Sequence, residues 1–363
     1  MKAGIVTIYD PLPNYGNRLQ NYAVQEILRG KGLEVETIAG DLPRCSWMSD
    51  AKALLHRIGG YRFAREEEYW KKTYPRIRAF DAFNRRYIPT FFCRSPEELK
   101  GRDDVYAVGS DQVWNPTWYG ERTLKRELYG LTFAKPHQKI CISPSFGISS
   151  LPEEWKPWFR EQLSSFPMLS VREEAGRQII RELTGREAEV LVDPTMILKR
   201  EKWEALMKVP VGLDCQRPYA FSYFLGGRPP ELESDWKRLQ EYGQLREYDL
   251  FQSQRPELYA ADPCEFLYLI HNAKIILTDS FHGCIFSFLF GKPFLVYERR
   301  GSERGLMSRI DTLLGLFGLE RKKAGGKLEN HLLECDYRKG YHILEEERIK
   351  FDQYLEKSLA GVR

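Results

Sequence analysis

The sequence predicts an α/β fold in which two parallel sheets form separate units that face each other across a cleft. The first observation is a strand-helix-strand opening, with an apolar run at residues 3–8, a helical pattern at 18–29 and a second apolar run at 33–38. Such a unit makes its strands parallel, and parallel sheets bind ligands at the carboxyl ends of their strands. The second observation is the length of 363 residues, which exceeds one ordinary hydrophobic core and predicts two domains.

Polar loops follow the predicted strands of the first unit. The loop NYGNRLQNY begins at Asn14, and its amide and guanidinium side chains can bond sugar hydroxyls, while Gly16 permits close backbone approach. The strand at 105–108 is followed by Asp111 and Trp114. A carboxylate and an indole at a strand end suit a sugar, but an aspartate cap beside a core tryptophan is an equal alternative.

A second α/β unit follows with the same alternation of strands and helices. Its predicted strands lie at 168–171, 190–192, 219–225 and 294–297, with helices at 174–183, 308–317 and 344–359. We therefore place an N-terminal domain at 1–164, a C-terminal domain at 165–340, and a final helix at 341–363 that crosses back to brace the first domain.

The segment at 52–100 differs in composition from its surroundings. Residues 52–86 contain ten Lys or Arg against four Asp or Glu, interleaved with aromatic side chains. A solvated helical face covering the N-terminal domain is the favoured interpretation. The alternatives are a basic collar for a membrane-bound or phosphorylated acceptor and a contact within a homo-oligomer.

The stretch from Lys274 to Pro293, KIILTDSFHGCIFSFLFGKP, carries the main candidate site. Its pattern predicts a short buried strand, a polar turn and an apolar helix that begins near Cys284 and ends before Pro293. His282 is therefore expected at a strand-to-helix turn, where unpaired N–H groups and the helix dipole favour an anion. A hydrogen-bonded structural histidine is the alternative.

Composition excludes several classes of function. The 55 basic and 51 acidic residues leave a net charge of +4, which does not predict nucleic-acid binding. Seven cysteines without a C-x-x-C pair predict reduced thiols rather than disulfides or a zinc site. The sequence contains neither a D-x-D motif nor a His-rich cluster, so it predicts no metal site. No apolar run approaches the roughly 18 residues of a membrane span, so we expect a cytoplasmic protein, with the inner face of the membrane as a further location.

Seven stretches, taken in their order and spacing, resemble the polysaccharide pyruvyl transferase family over residues 1–320. They are NYGNRLQNYA (14–23), VGSDQVWNP (108–116), SFGISSLP (145–152), LSVREEAG (169–176), VLVDPTMIL (190–198), TDSFHGCIFSFLFGKPF (278–294) and SRIDTLLGLFGL (308–319). The resemblance implies two Rossmann-like domains in a glycosyltransferase-B-like arrangement. It also implies transfer of a pyruvyl group from phosphoenolpyruvate to a saccharide in cell-surface polysaccharide synthesis, usually as a cyclic ketal.

The resemblance also implies roles for individual residues. The catalytic residues would be His282 and Arg172. The donor site would comprise Arg172, Asp193, Ser280, Phe281, His282, Gly283 and Arg309. The acceptor site would comprise Asn14, Gly16, Asn17, Gln20, Asp111 and Trp114. Asp193 precedes a proline and is equally well explained as a turn residue. Phosphoenolpyruvate is the implied co-substrate, with no metal or other cofactor, and the saccharide acceptor is free or lipid-linked.

One position departs from the family pattern. Many members carry arginine two residues before the histidine, where this chain has Ser280. We expect Arg309, Arg300 or Arg304 to supply the missing cation, unless the donor itself differs. A sugar-nucleotide-dependent glycosyltransferase on the same fold is therefore one alternative, and a non-catalytic saccharide-binding subunit is the other.

Overall fold

A computed structural model of the chain describes residues 1–9, 13–40, 64–119, 123–214, 217–251, 255–300, 305–325 and 335–362. Two sequence predictions fall in the gaps between these ranges. The start of the basic segment, residues 52–63, and Arg304 of the predicted basic loop both lie outside the described residues.

The first sheet has five parallel strands. In spatial order they are Thr90–Phe92 (β3), Glu34–Ala39 (β2), Lys2–Val6 (β1), Val105–Gly109 (β4) and Lys139–Ile142 (β5). Ile5 of β1 lies beside Thr37 of β2 and Ala107 of β4. Strand β4 is buried along its whole length, as expected for an apolar run in a parallel sheet with helices on both faces. Because all five strands run in one direction, their carboxyl ends share one edge.

The second sheet has four parallel strands. In spatial order they are Phe294–Val296 (β11), Ile275–Thr278 (β10), Tyr219–Tyr223 (β8) and Arg246–Asp249 (β9). The predicted fold class, an α/β protein with two parallel sheets, is therefore confirmed. Strand β9 is absent from the sequence prediction because its sequence, REYD, contains no apolar run.

Two short strands, Ser170–Val171 (β6) and Glu189–Val190 (β7), pair with each other next to the first sheet. The Ser170 hydroxyl donates to the Cys141 carbonyl of β5 at 3.1 Å. Apolar side chains of this region share a core with β4, among them Leu169, Val171 and Ile179. The sequence predicts that the second unit starts here, but in the structure these residues pack with the first sheet. Strands of two residues bury their side chains only against an existing core.

Helices connect the strands and cover both sheets. Up to β7 they are Tyr15–Gly30 (α1), Ala64–Tyr87 (α2), Thr123–Gly130 (α3), Lys156–Ser164 (α4) and Glu174–Thr184 (α5). After β7 they are Pro194–Ile197 (α6), Arg200–Glu204 (α7), Glu231–Gly243 (α8), Pro256–Tyr259 (α9), Pro263–Asn272 (α10), Phe281–Leu289 (α11), Gly305–Phe317 (α12) and Arg338–Ala360 (α13). None of the helices in the described ranges is both long enough and apolar enough to cross a bilayer.

Helix α1 begins three residues before the predicted start at Arg18. The Asn14 side chain accepts a hydrogen bond from the Asn17 N–H at 3.1 Å and so caps the helix. Gly16 and Asn17 therefore lie in the first helical turn rather than in a loop. The start of the helix therefore sets the directions of the Asn14 and Asn17 side chains.

Buried Arg76 of α2 ties the two sheets together. Its Nη1 atom donates to the Tyr15 hydroxyl at 2.9 Å and to the Tyr259 carbonyl at 2.8 Å. The Tyr15 hydroxyl in turn donates to the Ala261 carbonyl at 2.7 Å, and burial raises the pKa of Tyr15 to about 12. The guanidinium lies over four aromatic rings, those of Tyr15, Phe80, Phe251 and Tyr259.

The final helix, α13, contacts α1 near the start of the chain and α6 near its middle. Lys31, at the end of α1, pairs with Asp352 at 2.5 Å and with Glu356 at 2.9 Å. Arg348 donates to the carbonyl of Met196 in α6 at 2.9 Å. Helix α13 also packs on α12, and this position brings its side chains near the candidate site described next.

Candidate active site

The first turn of α1 meets the first turn of α11 between the two sheets. A Cβ atom added to Gly16 would lie 2.2 Å from Nδ1 of His282, far inside van der Waals contact. Only glycine at this position lets the two helices approach so closely. Gly16 and His282, both predicted to be site residues, are therefore neighbours.

Helix α11 begins earlier than predicted because Ser280 caps it. The Ser280 hydroxyl accepts from the Gly283 N–H at 3.3 Å, and the Ser280 N–H donates to Oγ1 of Thr278 at 3.0 Å. Gly283 packs on the same threonine, since an added Cβ would lie 2.6 Å from Oγ1 of Thr278. Ser280 and Gly283 therefore shape the turn that places His282 in the first turn of the helix. Their contact with a donor stays a prediction.

The His282 side chain is buried and has unused hydrogen-bonding capacity. It is 7% exposed, and its Nε2 atom lies 3.7 Å from Oδ2 of Asp193 without a hydrogen-bond partner among the described residues. Burial lowers the pKa of His282; Asp193 opposes this shift and Arg172 adds to it. The imidazole is therefore neutral at pH 7 and can take up a proton from a bound group.

Asp193 and Arg172 form a buried ion pair beside this imidazole. The Nη1 atom of Arg172 lies 2.5 Å from Oδ2 of Asp193, and both side chains are almost completely buried. Asp193 also caps α6, since its Oδ1 accepts from the N–H of Thr195 at 2.9 Å. Burial favours the protonated acid, but Arg172, His282 and the hydrogen bonds from Thr195 together outweigh burial, and the pKa of Asp193 is lowered. The role of Asp193 as a turn residue is thus confirmed, and its contact with a donor stays a prediction.

Phe281 lies between two arginines. The guanidinium of Arg172 is 4.6 Å from the centre of its ring, and that of Arg309 is 5.6 Å away. Burial and the neighbouring Arg172 lower the pKa of Arg309. Among the described residues, Nε and Nη2 of Arg172 and Nε of Arg309 have no hydrogen-bond acceptor. Two buried cations with free N–H groups form a site suited to an anion.

Three arginines are expected to compensate for Ser280, and of the two that the structure describes, Arg309 lies with Arg172 on the ring of Phe281. Arg300 is exposed, and Arg304 lies outside the described residues. That Arg309, on α12, replaces the arginine of the family pattern stays a prediction. Sequence alone cannot single out Arg309, because the two helices meet only through the tertiary fold.

The predicted acceptor residues of the first sheet mostly bond one another. The Asn17 amide donates to Asp111, whose Oδ1 is 3.6 Å from Nη2 of Arg172. Gln20 is fully buried: its amide donates to Oγ1 of Thr7 at 2.7 Å, and its carbonyl accepts from the Ser110 N–H at 3.2 Å. Asn17 and Asp111 therefore adjoin Arg172. Gln20 instead holds Thr7 and the backbone of Ser110 in place.

Trp114 does not line the site, and its assignment to the acceptor is corrected. The residue is 1% exposed, its ring packs against Phe146 and Phe166, and its indole N–H donates to the Tyr129 carbonyl at 3.2 Å. The ring is therefore part of the core and cannot stack on a sugar. The indole exposed near Asp111 is that of Trp118, which is 51% exposed and donates to the Gln112 side chain at 2.9 Å.

Sequence reasoning missed Glu173, which is fully buried beside Arg172. Its Oε1 atom accepts from the Phe146 N–H at 2.8 Å and from the Ser145 hydroxyl at 3.0 Å. Its Oε2 atom has no hydrogen-bond partner among the described residues. The available signal was the Arg-Glu pair directly after a predicted strand, because charged residues at that position rarely face the core without a partner.

A cavity of about 230 Å³ opens beside the two arginines. Arg172, Asp193, Phe281 and Arg309 contribute from the site described above. Further walls come from α12 and α13, with Thr312, Leu313, Leu316, Glu347 and Lys350. The part of the chain that the structure describes contains no cluster of three His, Cys, Asp or Glu residues that could hold a metal ion.

Several solved structures have a similar overall course of the chain at low sequence identity. A UDP-GlcNAc 2-epimerase from Neisseria meningitidis bound to UDP-GlcNAc is 13% identical, with 98% of this chain and 100% of that chain covered and a TM-score of 0.44. A UDP-GlcNAc 2-epimerase from Methanocaldococcus jannaschii is 12% identical, with coverage of 95% and 99% and a TM-score of 0.42. A glycosyltransferase from Rickettsia africae is 11% identical, with coverage of 100% and 99% and a TM-score of 0.47. These similarities carry no conclusion about what this chain binds.

No curated protein matches the sequence significantly. The family model described as polysaccharide pyruvyl transferase matches residues 14–300, which is more than three quarters of the chain. The matched range contains Arg172, Asp193 and His282, and it ends before α12 and α13. The chain therefore belongs to the polysaccharide pyruvyl transferase family.

Proposed function

We propose that this protein transfers a pyruvyl group from phosphoenolpyruvate to a saccharide acceptor and forms a ketal. The observation that carries the proposal is the pair of buried guanidinium groups on Phe281, next to a buried neutral histidine. Phosphoenolpyruvate carries a phosphate and a carboxylate, and its binding requires fixed cations in a site that excludes water. Membership of the family supports the same reaction.

In this proposal Arg172 and Arg309 hold the two anionic groups of the donor. The free N–H groups of both arginines and the amino end of α11 lie in one region, so the donor would replace missing hydrogen bonds rather than compete for existing ones. No metal or further cofactor is part of the proposal, because positive charge from arginine is sufficient to bind both groups.

In the proposed reaction, two hydroxyl oxygens of the acceptor bond one after the other to C2 of the donor. The donor's methylene carbon gains a proton and becomes a methyl group, and an acceptor hydroxyl oxygen bonds to C2. Phosphate then leaves with the electrons of the C2–O bond, and a second hydroxyl oxygen takes its place. One hydroxyl proton ends on the methyl group and the other on the phosphate. We assign to His282 the removal of a hydroxyl proton, since its lowered pKa keeps the imidazole neutral before the donor binds.

A second candidate is a glycosyltransferase that uses a sugar nucleotide. It is favoured by Ser280, which stands where many family members have an arginine and which here serves as a helix cap. The two candidates differ in donor, so donor binding separates them. A non-catalytic saccharide-binding subunit would bind sugar and turn over no donor at all.

The test is a thermal-shift titration with phosphoenolpyruvate, several sugar nucleotides and inorganic phosphate. A ligand that binds only the native state adds about 2.7 kcal/mol to its stability at a hundredfold excess over Kd. We expect a shift with phosphoenolpyruvate that is lost in Arg309→Met, with Arg321→Met as the control for loss of one positive charge. A shift with a sugar nucleotide alone would reject the proposed donor.

Turnover provides the second half of the test. We expect His282→Gln to lower phosphate release from phosphoenolpyruvate at least about a hundredfold, the usual size of a general acid–base contribution. His342→Gln is the control, since the imidazole of His342 is 81% exposed on α13. Activity of His282→Gln near that of the wild type would remove this histidine from the mechanism.

A further inference from the structure

The cavity beside the arginines has one wall from a helix outside the family match. Helix α13 begins at Arg338, beyond the matched range 14–300, yet it places Glu347 and Lys350 in the lining of this cavity. Leu313 and Leu316 of α12 line the same space. The cavity thus joins the predicted anion site to a carboxylate and to apolar surface, a combination typical of carbohydrate pockets.

The Glu347 carboxylate has free capacity to accept hydrogen bonds. Its side chain is 16% exposed, and it forms an ion pair with Lys350, whose Nζ is 3.9 Å away. Within the described ranges no hydrogen bond to this carboxylate is found. Lys350 is held elsewhere, because its Nζ donates to the Val190 carbonyl at 2.7 Å. Burial raises the pKa of Glu347, and Lys350 opposes this shift.

We propose that Glu347 binds hydroxyl groups of the saccharide acceptor and that this helix determines which acceptor is used. The inference rests on the proposed transfer to a saccharide. Two hydroxyls of a pyranose can donate to one carboxylate, and Leu313 and Leu316 offer apolar surface for the C–H face of the ring. The sugar is a neutral one, because the three cations that line the cavity (Arg172, Arg309 and Lys350) are balanced by three carboxylates (Glu174, Asp193 and Glu347), which leaves no unbalanced positive charge for an acidic sugar.

Glu347→Gln and Glu346→Gln form a matched pair of variants for the test. Both remove one negative charge from the same helix, but the Glu346 side chain is 65% exposed. Ligand-observed NMR with glucose, galactose, mannose and glucuronate, in the presence of inorganic phosphate, measures saccharide binding directly. We expect wild type and Glu346→Gln to bind a neutral pyranose equally. Glu347→Gln should bind it about tenfold more weakly, because hydrogen bonds to a charged group are lost.

Equal affinity of the two variants would overturn the inference, as would a wild-type protein that binds none of the neutral pyranoses. Preference for glucuronate would overturn the assignment of a neutral sugar. The thermal shift with phosphoenolpyruvate, measured on the same samples, should be retained or larger in Glu347→Gln, because loss of a nearby negative charge does not weaken binding of an anion. If the wild type lacks that shift but binds sugar through Glu347, the proposed donor fails while the inference about α13 stands.

Discussion

The two sheet edges that meet at the site differ in how far their polar groups are satisfied. At the edge of the first sheet, Gln20 bonds Thr7 and Ser110, and Asn17 bonds Asp111, so little capacity remains. At the edge of the second sheet, Nε2 of His282 and Nε of Arg309 lack partners among the described residues. Both edges are rich in polar residues, but the polar groups of the first are largely satisfied, whereas those of the second keep unused hydrogen-bonding capacity.

This difference shows which property identifies a ligand-binding residue. A polar side chain at the end of a strand indicates that the position tolerates polarity. Unused hydrogen-bonding capacity in a buried place is costly, and it persists where a ligand supplies the missing partner. The pair of Arg172 and Asp193 lies between the two edges and contacts both, which makes it the first place to test the comparison.

The largest expected effect is on the stability of Arg172→Met. This change leaves the Asp193 carboxylate buried beside Ser110 without its cation, at a cost of about 3–5 kcal/mol in the free energy of unfolding. Urea denaturation measures the loss. Arg177→Met is the control, because that side chain is 44% exposed and pairs with Glu174 on the surface. A loss below about 0.5 kcal/mol, the range of ordinary surface changes, would show that the pair does not hold the edges together.

A smaller effect is expected from Gly16→Ala, which forces the edges apart. Its Cβ would overlap the imidazole of His282, so α1 and α11 must separate at a cost of about 1–3 kcal/mol. Gly30→Ala, on the same helix, has no heavy atom within 4 Å of the added Cβ and should leave stability unchanged or slightly raised. Equal urea midpoints for the two variants would mean that the helices are not in contact in solution.

The smallest expected effect is a pH dependence caused by His282. Its folded-state pKa is lowered by burial, so below the ordinary value of 6.5 the unfolded chain binds a proton that the native protein does not. Stability is therefore full above pH 6.5 and falls as the pH drops toward the folded-state pKa, by about 1.4 kcal/mol for each pH unit that separates the folded and unfolded pKa values. The lowered pKa of Asp193 acts in the same direction, but only below its ordinary value of 3.8.

Urea denaturation of the wild type and of His282→Gln between pH 7 and 5 measures this pH dependence. The free energy of unfolding should fall more steeply for the wild type, and parallel curves would contradict the prediction.

Much of the fold could be predicted from the sequence, because buried parallel strands read as apolar runs followed by polar turns. The same pattern led to His282, whereas Arg172 and Asp193 are expected at the site only from the resemblance to the family. It could not reveal that Asn14 and Ser280 start helices early, since a capping side chain and a ligand-binding side chain are the same residue types. The burial of Trp114 depends on aromatic partners distant in sequence, which local pattern does not contain.

The residues of α12 and α13 in the cavity show a different limit. Arg309 and Glu347 both lie on amphipathic helices whose periodicity is satisfied by packing alone, so Arg309 is expected at the site only through the resemblance to the family, and nothing local distinguishes Glu347 from a packing residue. Only the tertiary fold brings them to Phe281 and Arg172.

The contacts of Arg76 with four aromatic rings limit how segments of this protein can be exchanged with those of its relatives. The guanidinium comes from α2, but two of the rings and one carbonyl acceptor belong to residues 251–259. A chimera that joins residues 1–198 of this chain to the remainder of another family member keeps these contacts only if that member supplies two aromatic rings and a carbonyl acceptor at the same places. The two sheets are therefore coupled through Arg76, and an exchange of one sheet between relatives has to preserve both sides of this contact.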